Sequence, residues 1–327
     1  MKTARLQIKC LWIPVLIFFV LMISTPVRAV WNLSVDGDAR SRFGSSEDHE
    51  MDIHLAGVSV RKTFSDHLGD RFTIFGLMEA EDNFSEVMLH EGYGQYKGPL
   101  GAWNITAGRF GLPWGLLPGF SASRLLYDTP HDRLLGMDVD SGIKVSGVLG
   151  ALDYGLSITQ GYGPHHTPHD RGYGLGVARI GFTPGYTEEF SVGASAAWGR
   201  SVVAHDNDNH AGMMDEDDAV LRALAGLDAT LYLGRWLGRI EIGAGRVDHA
   251  NMATAFTAVD FALLPKIDLN FSVNVVRYES EHQDEWFVGF TGKPTWFTLR
   301  GGYRYAGYNK PQHEVILQIY RLFSFAF

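Results

Sequence analysis

The chain has one cysteine, Cys10, so nothing beyond it can form a disulfide or a thiolate metal site. No Cys-x-x-Cys-His sequence occurs, which excludes a covalently attached haem of its own. Past residue 30 there is no run of 18 or more apolar residues, which excludes helical membrane spans there. Positive charge is scarce: 28 Lys and Arg face 37 Asp and Glu, a formal net charge of -9. Removing Lys2, Arg5, Lys9 and Arg28 makes the remainder four units more negative. That argues against nucleic acid as a partner, because phosphate binding needs clustered cations. Prolines number only 12, while 38 glycines and 13% aromatic residues describe a β-rich chain rather than a disordered one.

The first residues have a distinct order. Lys2, Arg5 and Lys9 precede an apolar run over 10–23, followed by Val27-Arg28-Ala29. Charged, apolar and small-residue regions in that sequence mark a secretory signal. The run is shorter than the ~20 residues of a spanning anchor. Residues 1–29 are therefore expected to be cleaved, with 30–327 forming a single domain that begins at Val30. No Ser/Pro-rich linker or change of pattern divides that domain.

Beyond residue 30 the dominant signal has period two. Trp31, Leu33, Val35, Gly37, Ala39 and Phe43 share one parity, and Asn32, Ser34, Asp36, Asp38, Arg40 and Arg42 the other. A strand sends alternate side chains to opposite faces, so one face is apolar and the other charged. Ile267 to Val275 and Leu221 to Leu231 divide in the same way, with Asp268, Asn270 and Asn274 or Arg222 and Asp228 on the polar side. Soluble sandwiches also alternate. Length separates the two cases: these segments run about ten residues, the span of a tilted transmembrane strand, against the five or six usual in soluble sheets.

The connections alternate as well. Short turns at 65–70, 98–101, 149–151, 183–185, 233–235, 264–266 and 292–294 interleave with polar loops at 44–50, 82–87, 111–139, 162–171, 202–218, 247–252, 279–285 and 307–312. Fifteen connections imply about 16 strands. The expected fold is all-β: a transmembrane antiparallel barrel with short inner turns and longer outer loops. Closure removes the sheet edges, which lipid could not hydrogen-bond. Segments 88–97 and 172–182 alternate poorly and are the weakest of the set.

The stretch Phe323-Ser324-Phe325-Ala326-Phe327 alternates aromatic and small residues. Phe323, Phe325 and Phe327 share the lipid parity and belong to an interfacial aromatic girdle. This pattern resembles the signal by which barrel-assembly machinery recognises its substrates. Arg321 falls on the same parity, and at mid-depth it would cost ~2–4 kcal/mol. A bulge or snorkelling toward headgroups is expected there.

Residues 108–147 contain Gly108-Arg109-Phe110, then Pro113-Trp114-Gly115, the longest loop, and Asp140-Ser141-Gly142-Ile143-Lys144-Val145-Ser146-Gly147. This stretch resembles the phosphate-selective porin-like family and Gram-negative outer-membrane porins generally. The resemblance implies a water-filled channel for passive diffusion of small hydrophilic solutes or ions. It also implies a third outer loop folded into the lumen, a homotrimer, and contact with outer-membrane lipid and lipopolysaccharide. The physics agrees with the loop's placement. A barrel of this size is open unless something fills it, and Leu116, Leu117, Phe120, Leu125, Leu126 and Tyr127 are too apolar to extend into water. Folded inward, the loop brings Arg124, Asp128, His131, Asp132, Arg133, Asp138 and Asp140 to a constriction. Facing them, the polar strand faces offer Asp36, Asp38, Arg40, Arg42, Arg61, Glu79, Glu81, Lys144, Arg222, Asp228, Arg239, Glu241, Arg300 and Arg304. Opposed charges of this kind set ion preference. The arginine and lysine ladder of phosphate-selective channels does not map here residue by residue.

The alternative is a barrel sheath holding a separate multihaem cytochrome for transmembrane electron transfer; an inward third loop would occupy the partner's space. Other signals are weaker. The histidines of 164–170 are broken by prolines and fix no metal geometry. The acidic run 206–218 departs from the EF-hand pattern, with Ala211 at the glycine position. Gly172 to Gly176 precedes no helix and makes no phosphate loop. No cofactor, metal site or catalytic motif is expected, so the chain is not read as an enzyme.

Overall fold

The structure, a computed structural model, describes residues 28–44, 49–67, 69–81, 83–84, 86–119, 126, 129–163, 174–185, 189–202, 220–279, 281–307 and 311–327. Most of the expected export segment, 1–27, lies outside these residues.

Sixteen strands are described. They are β1 (Arg28–Gly44), β2 (His49–Asp66), β3 (Gly69–Glu81), β4 (Glu86–Lys97), β5 (Asn104–Gly111), β6 (Val139–Leu149), β7 (Leu152–Thr159) and β8 (Gly174–Phe182). The second half holds β9 (Phe190–Ser201), β10 (Val220–Leu233), β11 (Trp236–Val247), β12 (Ala250–Leu264), β13 (Ile267–Tyr278), β14 (Glu281–Gly292), β15 (Thr298–Gly307) and β16 (Gln312–Ala326). Every strand pairs antiparallel with its sequence neighbours, and β1 pairs β16 to close the barrel. At the seam, Trp31 and Phe327 exchange reciprocal backbone hydrogen bonds of 2.9 and 3.0 Å.

The alternating sequence explains the two surfaces. Ile240, Ile242, Val288 and Phe325 are exposed on the outside, while their neighbours Glu241 and Phe287 are buried within. The outer wall is apolar, as hydrocarbon requires. Aromatic pairs gather near the short turns, among them Trp236 with Phe261 at 4.4 Å and Tyr96 with Trp103 at 5.5 Å between ring centroids. Rings at that depth sit at the headgroup level.

Among the described residues, four register shifts interrupt the ladder: beside His54, Arg71, His90 and Leu263. Each leaves one residue without an opposite partner, which flips the parity beyond it. The shift beside His90 explains the poor alternation of 88–97: Leu89 and Gly92 face outward, and His90 and Glu91 lie between them. The other weak segment, β8, fails for a different reason. Leu175 and Val177 are fully buried on its inner face, where a polar residue is the usual occupant.

Arg321 snorkels. The register of β16 runs unbroken past it, so no bulge turns it inward. Its guanidinium instead lies over the Phe323 ring at 4.6 Å and donates to the carbonyl of Trp296 in the turn between β14 and β15.

Candidate channel lumen

The inner wall is polar because of the strand parity, and the connection between β5 and β6 lies against part of it. Described parts of that connection are 112–119, 126 and 129–138, with a 3-10 turn at Leu117–Gly119 and a short α-helix, α1 (Pro130–Leu135). One carboxylate anchors the connection's first part. Glu241 of β11 accepts from the indole Nε1–H of Trp114 at 3.0 Å and from the backbone N–H of Leu116 at 2.8 Å. Between them the N–H of Gly115 donates to Ser195 Oγ at 3.0 Å. Trp114 is fully buried and Glu241 nearly so. Charge-assisted bonds of this kind are about twice as strong as neutral ones.

Glycines make the room. Gly115 has φ +46°, and a Cβ there would collide with the Glu241 carboxylate. On the wall, a Cβ at Gly226 would come 2.8 Å from the Trp114 ring. Around these contacts Leu112, Trp114, Leu134, Leu135 and Met137 of the connection form one apolar cluster with Leu175, Val177, Leu224, Met252 and Val276 of the wall. This cluster accounts for the inverted pattern of β8. Farther along, Leu126 meets Phe287 of β14 and Ile316 of β16.

Arg222 of β10 faces inward and serves α1. Its guanidinium donates to the carbonyls of Leu134 at 2.6 Å and Val202 at 2.8 Å, and its Nε to Ser201 Oγ at 2.6 Å. Ser201 Oγ in turn donates to the Leu135 carbonyl at 3.1 Å. The last carbonyls of a helix lack intrahelical partners and carry partial negative charge, which suits a cation. Expected as a lumen charge, Arg222 is 2% exposed and structural.

The other expected constriction residues divide. Arg124 and Asp128 lie outside the described residues, and Asp132 is placed in α1 without a described side chain. His131 is buried, its Nε2 2.9 Å from Thr129 Oγ1. Arg133 is half-buried on α1. Asp138 approaches His90 Nε2 at 3.6 Å, and Nδ1 of that ring is 3.0 Å from Glu79 of β3. Asp140 does not join them. Its carboxylate accepts from the backbone of Ser141, Gly161 and Gly163, fixing the connection after β7.

Many of the described wall charges have partners on their own or a neighbouring strand. Arg300 donates to Gln318 at 2.6 Å, Gln318 to Asp38 at 2.7 Å, and Arg40 reaches Asp38 at 2.9 Å, so one chain of contacts crosses the seam from β15 to β1. Asp36 lies 3.5 Å from the Tyr320 hydroxyl. Arg42 is 3.9 Å from Asp52, and Arg304 is 3.5 Å from Glu285 and 3.7 Å from Glu314. Arg61 lies over Phe75 at 5.1 Å. Lys144 donates to the Gly111 carbonyl at 3.0 Å and covers the Phe110 ring. Arg239 pairs Asp260 at 2.8 Å, and Asn270 donates to the other oxygen. Glu81 ends β3 with its side chain undescribed.

Sequence reasoning missed Arg179. It binds Asp228 at 2.7 Å and Asp153 at 2.6 Å, spanning β7, β8 and β10. A Cβ at Gly193 would strike both Arg179 and Asp228, so this inward glycine on the intervening strand was the available signal. Also missed was His90, which strict alternation hides and the bulge exposes.

No family model matches the chain, and no curated protein matches it. Solved structures do. The anion-selective porin from Comamonas acidovorans is similar at 11% identity, with 90% of this chain and 100% of that chain covered and a TM-score of 0.71. For the trimer form of OmpT, an outer membrane protein of Vibrio cholerae, the values are 11%, 90%, 99% and 0.68. For Salmonella typhi OmpF in complex with daunomycin they are 12%, 90%, 97% and 0.65. Identities this low establish the fold: a closed sixteen-strand barrel of the outer-membrane porin type. With its apolar outer wall, the chain is a multi-pass outer-membrane barrel.

Proposed function

We propose that the chain is a porin: a water-filled channel, narrowed by its third outer loop, through which small hydrophilic solutes or ions diffuse passively. The observation that carries this reading is the lumen itself, a wall of paired charges on which an apolar loop is held by Glu241. A polar inner surface of this kind can solvate passing solutes, and the charges near the narrowing set their preference. Both signs are present, and the arginine and lysine ladder is missing, so phosphate selectivity is not carried over from the resemblance. The cytochrome sheath is disfavoured because Trp114, Leu126 and α1 take up space that a partner would need. In this reading the wall has a passive role: Arg179, Arg239 and Arg304 pair with acids, and Glu241, Asp140, Lys144 and Arg222 hold backbone groups.

In this reading residues 1–29 are removed on export, which leaves the Trp31 and Phe327 backbone bonds intact. The barrel then assembles through the Phe323, Phe325 and Phe327 pattern and functions as a homotrimer, a form in which OmpT of Vibrio cholerae has also been solved. Reconstitution of purified protein into planar bilayers tests the channel. Stepwise conductance is expected, and an electrically silent bilayer containing folded protein would overturn it.

A further inference from the structure

Not all of the inner wall is polar. Phe75 and Leu77 of β3 and Tyr93 of β4 share the inward parity with Thr73 and Glu79, and all three are half-buried rather than closed over. The buried apolar clusters that seat the loop draw on β8 to β14 and β16 and contain none of them. They therefore present apolar surface to the channel. The register sets Arg61 of β2, Phe75 and Tyr93 in one row across three strands. The two ring centroids are 5.2 Å apart. The Arg61 guanidinium lies 5.1 Å over Phe75 and donates to the Tyr93 hydroxyl.

Arg61 differs from other arginines of the wall. Arg179, Arg239 and Arg304 each meet a carboxylate. Arg61 has no ion pair among the described residues, and it is exposed, so its remaining N–H donors meet water. Its cross-strand neighbour Asn32 and the inward positions around it, Ser34, Ser59, Thr63 and Thr73, carry no charge. Glu91, two positions from Tyr93, lies in the field of His90 and Lys144 instead. A positive charge is thus left unanswered beside an aromatic surface. The row lies on the short-turn side of the narrowing: Glu79, which His90 links to Asp138 of the loop, stands four positions from Phe75 toward the outer loops. Two kinds of recognition meet there. A guanidinium fork matches a carboxylate bidentately, and an aromatic side chain offers offset or edge contact to a second ring. A small inorganic anion can use only the first and a neutral ring only the second.

We propose that Arg61, Phe75 and Tyr93 form a lumenal subsite for small aromatic carboxylates, the carboxylate on the free edge of the Arg61 guanidinium and the ring against Tyr93 and Leu77. The inference rests on the porin reading and names one class of solute that the channel would retain in passage. The test uses the full barrel in detergent, with benzoate as probe and ligand-detected NMR titration as readout. Acetate, inorganic phosphate and benzyl alcohol serve as comparisons. Benzoate should bind at least tenfold tighter than each of them. Arg61→Gln should bring benzoate down to the level of benzyl alcohol, and Tyr93→Ala should weaken benzoate at least fivefold while changing acetate by less than twofold. Acetate binding as tightly as benzoate, or benzoate binding unchanged in folded Arg61→Gln barrel, would overturn the proposal. The comparison of ligands on the unaltered chain decides the matter even where a variant fails to fold. Planar-bilayer recording on the same sample separates the two readings: a conducting barrel that treats benzoate and acetate alike sinks only the subsite, and a folded, silent barrel that still prefers benzoate sinks only the channel.

Discussion

Glu241→Leu is the most direct probe of the narrowing. The substitution removes both acceptors that hold the loop, leaving the Trp114 indole N–H and the Leu116 backbone N–H without their partners. Hydrogen bonds to a charged group contribute roughly 1.5–3 kcal/mol each, and both sit in a buried setting that water does not readily re-enter. The docked loop should therefore lose about 3–6 kcal/mol, on the order of a hundredfold or more in its docking equilibrium. The sixteen-strand ladder does not depend on this residue's carboxylate, so the barrel should still migrate as a folded species without heating. Single-channel recording is the assay. A larger mean conductance and added current noise are expected as residues 112–119 loosen from the wall. Trp114→Phe removes one bond of the two and should fall between wild type and Glu241→Leu, and the double variant should show the two changes to be non-additive. Conductance and noise indistinguishable from wild type in Glu241→Leu would refute the assignment of this carboxylate as the anchor.

Three further outcomes follow from single residues. Arg222→Leu strips the α1 carbonyls of their cation, and hydrogen exchange at residues 131–135 should accelerate by tenfold or more while exchange in β13 to β16 stays unchanged. Arg321→Leu should alter stability in lipid vesicles by less than about 1 kcal/mol by urea titration, because the guanidinium already reaches the turn; a gain of ~2–4 kcal/mol would mean that it sits at mid-depth. Phe327→Ala should lower the amount of barrel assembled in cells several-fold, while detergent refolding of the purified protein is nearly unaffected; equal losses in both assays would refute an assembly role for that ring.

The barrel was legible because period two survives wherever one face meets lipid and the other water. Turns and loops alternated strongly enough to count the strands, and β1, β10 and β13 divide their faces as the sequence indicates. Legibility failed where a third environment intervened. Leu175 and Val177 are apolar on the inner face because they pack on the loop, a contact between residues about 60 positions apart in the chain that no local window contains. The bulge beside His90 shifts parity by one residue, and alternation alone places that ring on neither face. Charged inward residues were found by type, but their use was not. Arg222 and Asp140 are occupied by backbone groups, and the sequence offers no sign of which carbonyls or amides will arrive beside them. The glycines at 115, 193 and 226 were the overlooked clue, each standing where a neighbouring side chain passes too close for a Cβ.

The seam between β1 and β16 governs how the molecule must be made. Asp38 and Gln318 touch across it although 280 positions separate them in the chain, so the cylinder stays an unrolled ribbon until synthesis and export have delivered both margins. For all that time two long hydrogen-bonding margins are open to any other strand they meet, and ring closure over such a distance is slow. The chain is thus hostage to escorts that shield those margins in transit, and its yield should depend more on them than on the strength of the finished structure.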